Sequence, residues 1–237
     1  MMEKSLTDRF DLNYAEIKKN IAESAKKSGR KYEDIVVLAA TKTVDADFIN
    51  YAIEQGIEYV GENRVQEFLS KNDAVSPKAH RHFIGHLQTN KVKDIVGKVE
   101  LIQSVHSLKL AREIGKVSVN KGVVTDILVE VNIGGEESKS GFDPEQVCEA
   151  IDQMQEIKGI NVKGLMTIPP ICDKKEDSRK YFDEMYKLFI EIRDKKLYNN
   201  IEILSMGMSD DYDIAVECGA NMVRIGTALF GARNYNL

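Results

Sequence analysis

The chain has 237 residues, 43% of them hydrophobic and 30% charged, and its formal net charge is −5. This composition fits a folded protein with a sizeable core, and the acidic balance argues against a protein that binds nucleic acid or an anionic membrane. Cys148, Cys172 and Cys218 are scattered with no C-x-x-C pair, which is typical of reduced thiols. With no signal-peptide pattern and no membrane-length apolar run, we expect a cytoplasmic protein.

The first predicted element is an amphipathic helix that precedes any strand. Phe10, Tyr14, Ile17 and Ile21 recur at helical spacing and form one apolar stripe. Gly29 provides the expected stop, because glycine readily takes the left-handed conformation that ends helices. We expect this helix to be an addition to the repeated units that follow.

Eight short apolar or β-branched runs come next, and the stretch after each run is long enough for one helix. The runs are Ile35–Ala40, Glu58–Gly61, His82–Gly85, Glu100–Val105, Asp126–Asn132, Val162–Thr167, Ile201–Met206 and Met222–Ile225. Alternating strands and helices predict a parallel sheet, and eight units favour a closed barrel over an open doubly wound sheet. We therefore expect one domain over residues 1–237, a (β/α)8 TIM barrel with an extra N-terminal helix.

Two later helices have clear signals of their own. Asp143-Pro144 predicts a cap and first turn for the helix after strand five. Over Tyr181–Lys195 the apolar positions of one helical face are Phe182, Met185, Phe189 and Ile192.

Alternation along two strands predicts which side chains enter the barrel. In strand eight, Val223 and Ile225 should face the helices, which turns Arg224 inward. In strand five the predicted outer set is Ile127, Val129 and Val131, and the predicted inner set is Leu128, Glu130 and Asn132.

Lys42 follows strand one, at the end of the barrel where such folds carry their chemistry. It shares the alternation of Leu38 and Ala40, although Val37 and Ala39 would serve either face. A lysine near the barrel axis is partly desolvated, and desolvation favours the neutral form that condenses with aldehydes. From position alone, a solvated loop lysine is an equal alternative.

The loops after strands seven and eight carry the features of a phosphate site. Gly207 allows close backbone approach, Ser209 lies directly before an acidic helix start, and Gly226-Thr227 offers a further amide and a hydroxyl. Barrel phosphate sites are often built from these two loops. The alternative is that Ser209 is an ordinary N-cap of the next helix, and both roles can hold together.

The histidines and one polar loop are open to more than one interpretation. His80, His82 and His86 lack an interleaved cysteine or carboxylate that would complete a ligand set, so we expect hydrogen-bonding histidines and no metal. The loop over residues 134–141, GGEESKSG, is either a lid over the mouth or a plain surface loop.

A reactive lysine beside a phosphate cradle fits both Schiff-base sugar-phosphate aldolases and pyridoxal-phosphate barrels. Seven stretches decide between them: LAATK (38–42), GENRVQE (61–67), HFIGHLQTNK (82–91), VEVNIGGEESKSGF (129–142), GLMTI (164–168), LSMGMSDDY (204–212) and VRIGTALFGAR (223–233). With them the chain closely resembles the pyridoxal phosphate homeostasis protein family, whose fold is similar to the N-terminal barrel domain of alanine racemase. The stretches span nearly the whole chain.

The resemblance implies that pyridoxal 5′-phosphate (PLP) is held as a Schiff base on Lys42. It further implies that Ser209, Gly226 and Thr227 hold the phosphate and that Arg224 lies beside the cofactor ring. The full implied set is Lys42, Asn63, Met206, Met208, Ser209, Arg224, Gly226 and Thr227. One departure is the segment Thr43-Val44-Asp45, because many relatives carry a proline near this point.

The function implied by the resemblance is intracellular PLP homeostasis, in which the chain carries or releases the cofactor and is not an enzyme. The alternative is a PLP-dependent amino-acid racemase, which needs acid–base groups on both faces of the substrate α-carbon. In the similar racemases a tyrosine of a separate β domain serves the second face. Since the chain ends shortly after strand eight, we expect no such domain. An aldolase is disfavoured because such enzymes usually place their lysine on a later strand.

Arg224 and the expected lack of a second domain also affect the predicted function and partners. An arginine stays protonated, so beside the pyridine nitrogen it disfavours a pyridinium and weakens the ring as an electron sink. The similar racemases share such an arginine, so it only permits the carrier interpretation. We expect a monomer that exchanges PLP with PLP-dependent apo-enzymes.

Overall fold

The structure, a computed structural model, describes residues 4–194 and 200–231. Its strands pair in parallel and in chain order, and the last strand returns to the first to close a barrel. The strands are β1 (Val36–Ala40), β2 (Tyr59–Glu62), β3 (His80–Phe83), β4 (Leu101–Val105), β5 (Thr125–Val131), β6 (Ile160–Thr167), β7 (Ile203–Ser205) and β8 (Met222–Ile225). The predicted eight-stranded barrel is confirmed.

Helices surround the barrel. Within the described residues they are α1 (Lys4–Lys27), α2 (Ala46–Glu54), α3 (Val65–Lys71), α4 (Val92–Ile95), α5 (Leu108–Lys121), α6 (Val147–Gln155), α7 (Arg179–Asp194), α8 (Tyr212–Glu217) and α9 (Thr227–Phe230). Short 3-10 segments cover Tyr32–Asp34, Thr89–Lys91, Pro144–Gln146 and Lys175–Ser178. Lys195, Ala232 and Arg233, which belong to predicted segments, lie outside the described residues.

The extra helix α1 packs against α2, α8 and α9, the helices next to β1 and β8 in the chain. All four residues of its predicted stripe are buried, and Gly29 has the predicted left-handed φ of 72° just after the helix ends. The Phe10 ring contacts Phe48 of α2 and Phe230 of α9, with ring centroids 5.8 and 5.7 Å apart. The helix thereby stabilises the barrel by burying apolar surface against these helices.

The two later helix signals have different outcomes. The apolar stripe of α7 is buried as predicted, from Phe182 to Ile192. Asp143 is the N-cap residue and Pro144 lies in the first turn, as predicted, but the Asp143 side chain makes no capping hydrogen bond. Pro144 begins a 3-10 turn, and α6 starts only at Val147. The missing N–H and fixed φ of proline suit this tighter first turn.

Side chains alternate along the strands between the helix-facing core and the barrel interior. Val37 and Ala39 pack in the helix-facing core, whereas Leu38 packs inside the barrel with Ile84 and Met222. This resolves the ambiguity of strand one, since Leu38 faces the interior, and Lys42 lies in the turn that follows the strand. The predicted alternation of strand five is also confirmed, with Ile127, Val129 and Val131 outside and Leu128 inside.

The strand boundaries differ from prediction mainly in β3 and β7. His80 of β3 already pairs with Tyr59 of β2, so β3 begins earlier than its apolar residues indicate and ends at Phe83. β7 is short, with Ser205 the last residue paired across to β8. Within residues 4–194 and 200–231, no helix combines the length and apolar character needed to span a bilayer.

Candidate functional site

Adjacent strands at the closure of the barrel bring together two of the predicted regions. β1 pairs directly with β8, with Leu38 opposite Arg224 and Ala39 opposite Ile225. Lys42 lies just beyond the end of β1 and is partly buried. The lysine and the loop after β8 therefore project from neighbouring strands at the same end of the barrel, as the sequence predicts.

Arg224 points into the barrel and is almost fully buried, with 4% of its surface exposed. Its Nη1 donates to Ser205 Oγ over 2.6 Å and its Nη2 donates to the Thr167 carbonyl over 2.8 Å. Burial lowers the pKa of the Arg224 guanidinium to about 10, and the charges of Asp211 and Glu130 oppose this. The side chain therefore still carries its charge at neutral pH.

A chain of buried side chains extends from Arg224 toward the other end of the barrel. The Ser205 hydroxyl donates to Gln103 Oε1 over 2.7 Å, and Gln103 Nε2 lies 2.9 Å from His82 Nδ1. Since an arginine can only donate, the Ser205 hydroxyl accepts from Arg224 and donates its one hydrogen to Gln103. The amide of Gln103 then donates to His82, which must be neutral to accept at Nδ1.

The neutral state of His82 agrees with its surroundings. Burial, together with the neighbouring His80, lowers the pKa of His82 to about 3. His82 is therefore a buried hydrogen-bonding residue, as predicted. His80 pairs instead with Glu100, with 2.7 Å between Nδ1 and Oε2.

Glu130 of β5 also reaches the interior. Burial raises the pKa of its carboxyl to about 7, although the positive charge of Arg224 pulls it downward. Its Oε2 atom is buried without a hydrogen-bond partner among the described residues. An unsatisfied buried oxygen of this kind is costly and commonly marks a place where a ligand or a proton belongs.

Ser209 joins the two loops predicted to hold a phosphate, but not as the N-cap of the following helix. Its Oγ accepts from the backbone N–H of Gly226 over 3.2 Å and of Ala228 over 3.1 Å. α8 starts only at Tyr212, and its N-cap residue is Asp211, so the N-cap alternative for Ser209 is wrong. The exposed hydroxyl of Thr227 lies 3.5 Å from Ser209 Oγ.

Gly207 is required by packing behind the same loop. Its φ is +90°, and an added Cβ would come within 2.5 Å of the Ala215 side chain of α8. Its carbonyl also accepts from the backbone N–H of Arg224 over 3.0 Å. Gly207 therefore fixes the loop after β7 against both β8 and α8.

Asn63, Met206 and Met208 occupy three different surroundings. Asn63 Oδ1 is buried and has no hydrogen-bond partner within the described part of the chain, and the Asn63 backbone runs so close to Gly85 that a Cβ there would lie 1.9 Å from its carbonyl oxygen. Met208 is 37% exposed. Met206 is fully buried in the helix-facing core, so its side chain does not line the mouth. Alternation from the inward Ser205 explains this correction.

The polar loop over residues 134–141 is attached on both of its sides. Ser140 Oγ lies 3.2 Å from Nδ1 of His86, whose ring stacks on His106 with 4.4 Å between centroids. Lys139 Nζ donates to the Pro169 carbonyl over 3.0 Å. The loop thus connects the ends of β3 and β6, and whether it moves as a lid stays a prediction.

Several residues of the site escaped the sequence interpretation. Gln103 and Ser205 are polar residues at inward positions of otherwise apolar strands, and that pattern could have drawn attention to them. Glu62 and Lys71 form a buried ion pair behind the loop that carries Lys42. Neither residue has a sequence signal of its own, because the pairing depends on how α3 packs on β2.

The comparisons with known proteins agree with this geometry. Residues 12–234 match the family model described as alanine racemase, N-terminal domain. The pyridoxal phosphate homeostasis protein of Aquifex aeolicus is 45% identical, over 91% of this chain and 94% of that protein. PipY of Synechococcus elongatus, whose structure has PLP bound, superposes with a TM-score of 0.77 at 28% identity, over 89% of this chain and all of the PipY chain.

A longer protein shares the fold. Alanine racemase of Clostridium difficile superposes with a TM-score of 0.73 at 18% identity. The match covers 97% of this chain but 57% of the racemase chain. At this identity the likeness establishes the barrel fold alone.

The carboxyl of Glu130 makes stability depend on pH in a defined direction. Since its pKa is raised from 4.5 to about 7, the folded state holds a proton that the unfolded state releases between these pH values. The stabilisation of the folded state by the protonated Glu130 carboxyl is complete below pH 4.5 and is lost as the pH rises through 7. Glutamine stays neutral at every pH. As the pH rises from 4.5 to 7, we therefore expect the unfolding free energy of Glu130→Gln to increase by up to about 3 kcal/mol relative to that of the parent protein.

Denaturant unfolding of both proteins at pH 4 and pH 8 measures this difference. The value at pH 4, where both side chains are neutral, is the internal reference. A difference in unfolding free energy that does not change with pH would contradict the raised pKa of Glu130.

Proposed function

From the premise that this chain belongs to the pyridoxal phosphate homeostasis protein family, we propose that it binds PLP at the mouth of the barrel and holds it for release to other proteins. The observation that supports this is the pairing of β1 with β8, because Lys42 follows β1 and the Gly226 and Ala228 amides that meet Ser209 follow β8. The homeostasis relative is matched over nearly its full length, whereas the racemase is matched over little more than half of its chain.

The residues present fit the chemical groups of PLP. The amides of Gly226 and Ala228, already aimed at an oxygen, and the hydroxyls of Ser209 and Thr227 would hold the phosphate. Arg224 would face the ring nitrogen, and the buried Asn63 Oδ1 and Glu130 Oε2 offer polar atoms that lack protein partners. Lys42 would bind the aldehyde as a Schiff base. Met208 would line the rim.

The same residues are compatible with storage of the cofactor. Bound PLP supplies an aldehyde that condenses with amines and a ring that withdraws electrons. Arg224 keeps its charge and donates from every nitrogen, so it holds a facing ring nitrogen unprotonated, and the ring then withdraws electrons less strongly. The role that we propose is non-enzymatic, is exerted in the cytoplasm, and has PLP-dependent apo-enzymes as recipients of the cofactor.

One observation favours the racemase as a second candidate. β5 lies across the barrel from β1, so Glu130, whose pKa is raised to about 7 by burial, faces the interior from the side opposite Lys42. A carboxyl with such a pKa is suited to acid–base chemistry near neutral pH. Racemisation would use one group on each face of the substrate.

Borohydride trapping tests the role of Lys42. We expect protein loaded with PLP to absorb as a Schiff base, and borohydride to fix the cofactor to the peptide containing Lys42. Lys42→Ala should abolish both signals, because a Schiff base requires the amine. Lys139→Ala removes another lysine of the mouth, whose ammonium already contacts Pro169 and Glu136, and should retain both signals. A label on Lys91 or Lys139 in place of Lys42 would overturn the assignment.

Ligand affinity tests the phosphate site. Pyridoxal, which lacks the phosphate, should bind at least about tenfold more weakly than PLP, because each donor left unpaired costs about 1–3 kcal/mol. Thr227→Val should weaken PLP binding and leave pyridoxal binding unchanged, while Thr227→Ser keeps the hydroxyl and serves as the matched control. Equal affinities of the parent protein for PLP and pyridoxal would rule out an anion site in these loops.

Transfer and proton exchange together separate the carrier from the racemase. We expect the loaded protein to restore activity to a PLP-dependent apo-enzyme, with a small-molecule trap for free PLP distinguishing direct transfer from release. We also expect no appreciable exchange of the α-proton of L-alanine in deuterated water. Exchange that is lost in both Lys42→Ala and Glu130→Gln would establish the racemase instead.

A further inference from the structure

Lys71, the last residue of α3, holds both ends of the turn that carries Lys42. Its Nζ donates to the Thr41 carbonyl over 2.9 Å and to the Val44 carbonyl over 3.1 Å, and it pairs with Glu62. An ammonium has three hydrogens, so these three acceptors satisfy it. Its side chain is 14% exposed. Lys71 is therefore fixed by the structure and is not available for chemistry of its own.

Glu62 ties the same turn to the outer wall of the barrel. Its Oε1 accepts from the Thr41 hydroxyl over 2.7 Å, and the Thr41 hydroxyl also lies 3.1 Å from the Gly61 carbonyl. Glu62 and Thr41 both point toward the helices. The turn that carries Lys42 is thereby anchored on its helix-facing side.

Thr43 shows that the turn has a conformation its sequence does not favour. Its φ is +63°, the one positive value at a non-glycine residue in the described ranges. A β-branched side chain is disfavoured in this left-handed region. The Thr43 N–H donates to Glu67 Oε2 over 2.8 Å, so α3 supplies a second contact that holds the turn in place.

We propose that Lys71, supported by Glu62 and Glu67, is a positioning residue that sets the place of the Lys42 amine relative to a bound aldehyde. The proposal rests on the proposed binding of PLP by Lys42. Lys71 and Glu67 contact the backbone around Lys42, and Glu62 contacts the Thr41 side chain, all from the side of β2 and α3. They therefore govern Schiff-base formation and leave phosphate binding unaffected.

Two ligands that differ only at the reacting group test this. PLP carries the aldehyde, whereas pyridoxine 5′-phosphate carries an alcohol there and binds without a covalent bond. In Lys71→Met we expect the affinity for PLP and the borohydride-trapped fraction to fall by about tenfold or more, since a shift of roughly 1 Å in a reacting group can have effects of this size. The affinity for pyridoxine 5′-phosphate should stay within about twofold of the parent value. This change is well below the tenfold decrease in affinity that follows when an interaction of about 1.4 kcal/mol is lost.

Lys121 provides the matched control. Its Nζ likewise bridges two backbone carbonyls, those of Lys93 and Val96, over 2.7 and 2.8 Å, but at a site behind α4. Lys121→Met should leave both ligands unchanged. Glu67→Leu removes the Thr43 contact and keeps the Glu62–Lys71 pair, so it should show the same selective loss of PLP with less risk to folding.

The outcomes separate the proposals. If the parent protein forms no Schiff base, the proposed function itself fails. If it does, equal losses for the two ligands, or no loss in Lys71→Met and Glu67→Leu, would overturn the positioning role. Failure of both variants to fold, judged by circular dichroism, would also count against it, because the contacts would then serve the fold as a whole.

Discussion

Arg224 brings a positive charge into the centre of the barrel, where desolvation of an ion costs several kcal/mol unless hydrogen bonds compensate. Its donors reach the Ser205 hydroxyl and the Thr167 carbonyl, so two neighbouring strands must present acceptors at the right height. Ser205 then needs an acceptor of its own, which Gln103 provides, and Gln103 needs a neutral His82. One buried charge thereby determines the direction of every hydrogen bond along this interior chain.

The other ionisable groups inside the barrel differ from Arg224 in their charge state. Burial lowers the pKa of His82 and raises that of Glu130, so both are driven toward their neutral forms while Arg224 remains charged. Arg224 therefore keeps a positive charge inside the barrel, and the loop after β8 adds the backbone amides of Gly226 and Ala228. An anionic, electron-rich ligand suits such a cavity better than a cationic one.

Periodicity predicted the parts of the structure that depend on a single strand or helix. The inward direction of Arg224 and Glu130 follows from counting every second residue, and the stripe of α1 from helical spacing. Contacts between distant segments were not predictable in this way. A capping role for Ser209 was the alternative to phosphate binding because Asp210 and Asp211 follow it, whereas its partners belong to the next loop. Met206 was placed at the mouth by resemblance, yet alternation from Ser205 turns its side chain outward. Lys71 meets Thr41 only because α3 packs behind β2.

The pairing of β1 with β8 determines when the site can form during synthesis of the chain. Lys42 follows the first strand to emerge, and the cluster of Ser209, Gly226 and Ala228 lies close to the last, so the site requires non-local contacts between the two ends of the barrel. Such contacts are slow to form and depend on complete closure. An unfinished chain would carry the lysine without the rest of the site. A ligand that requires the complete site would bind only the complete, folded chain. It would therefore stabilise that state alone.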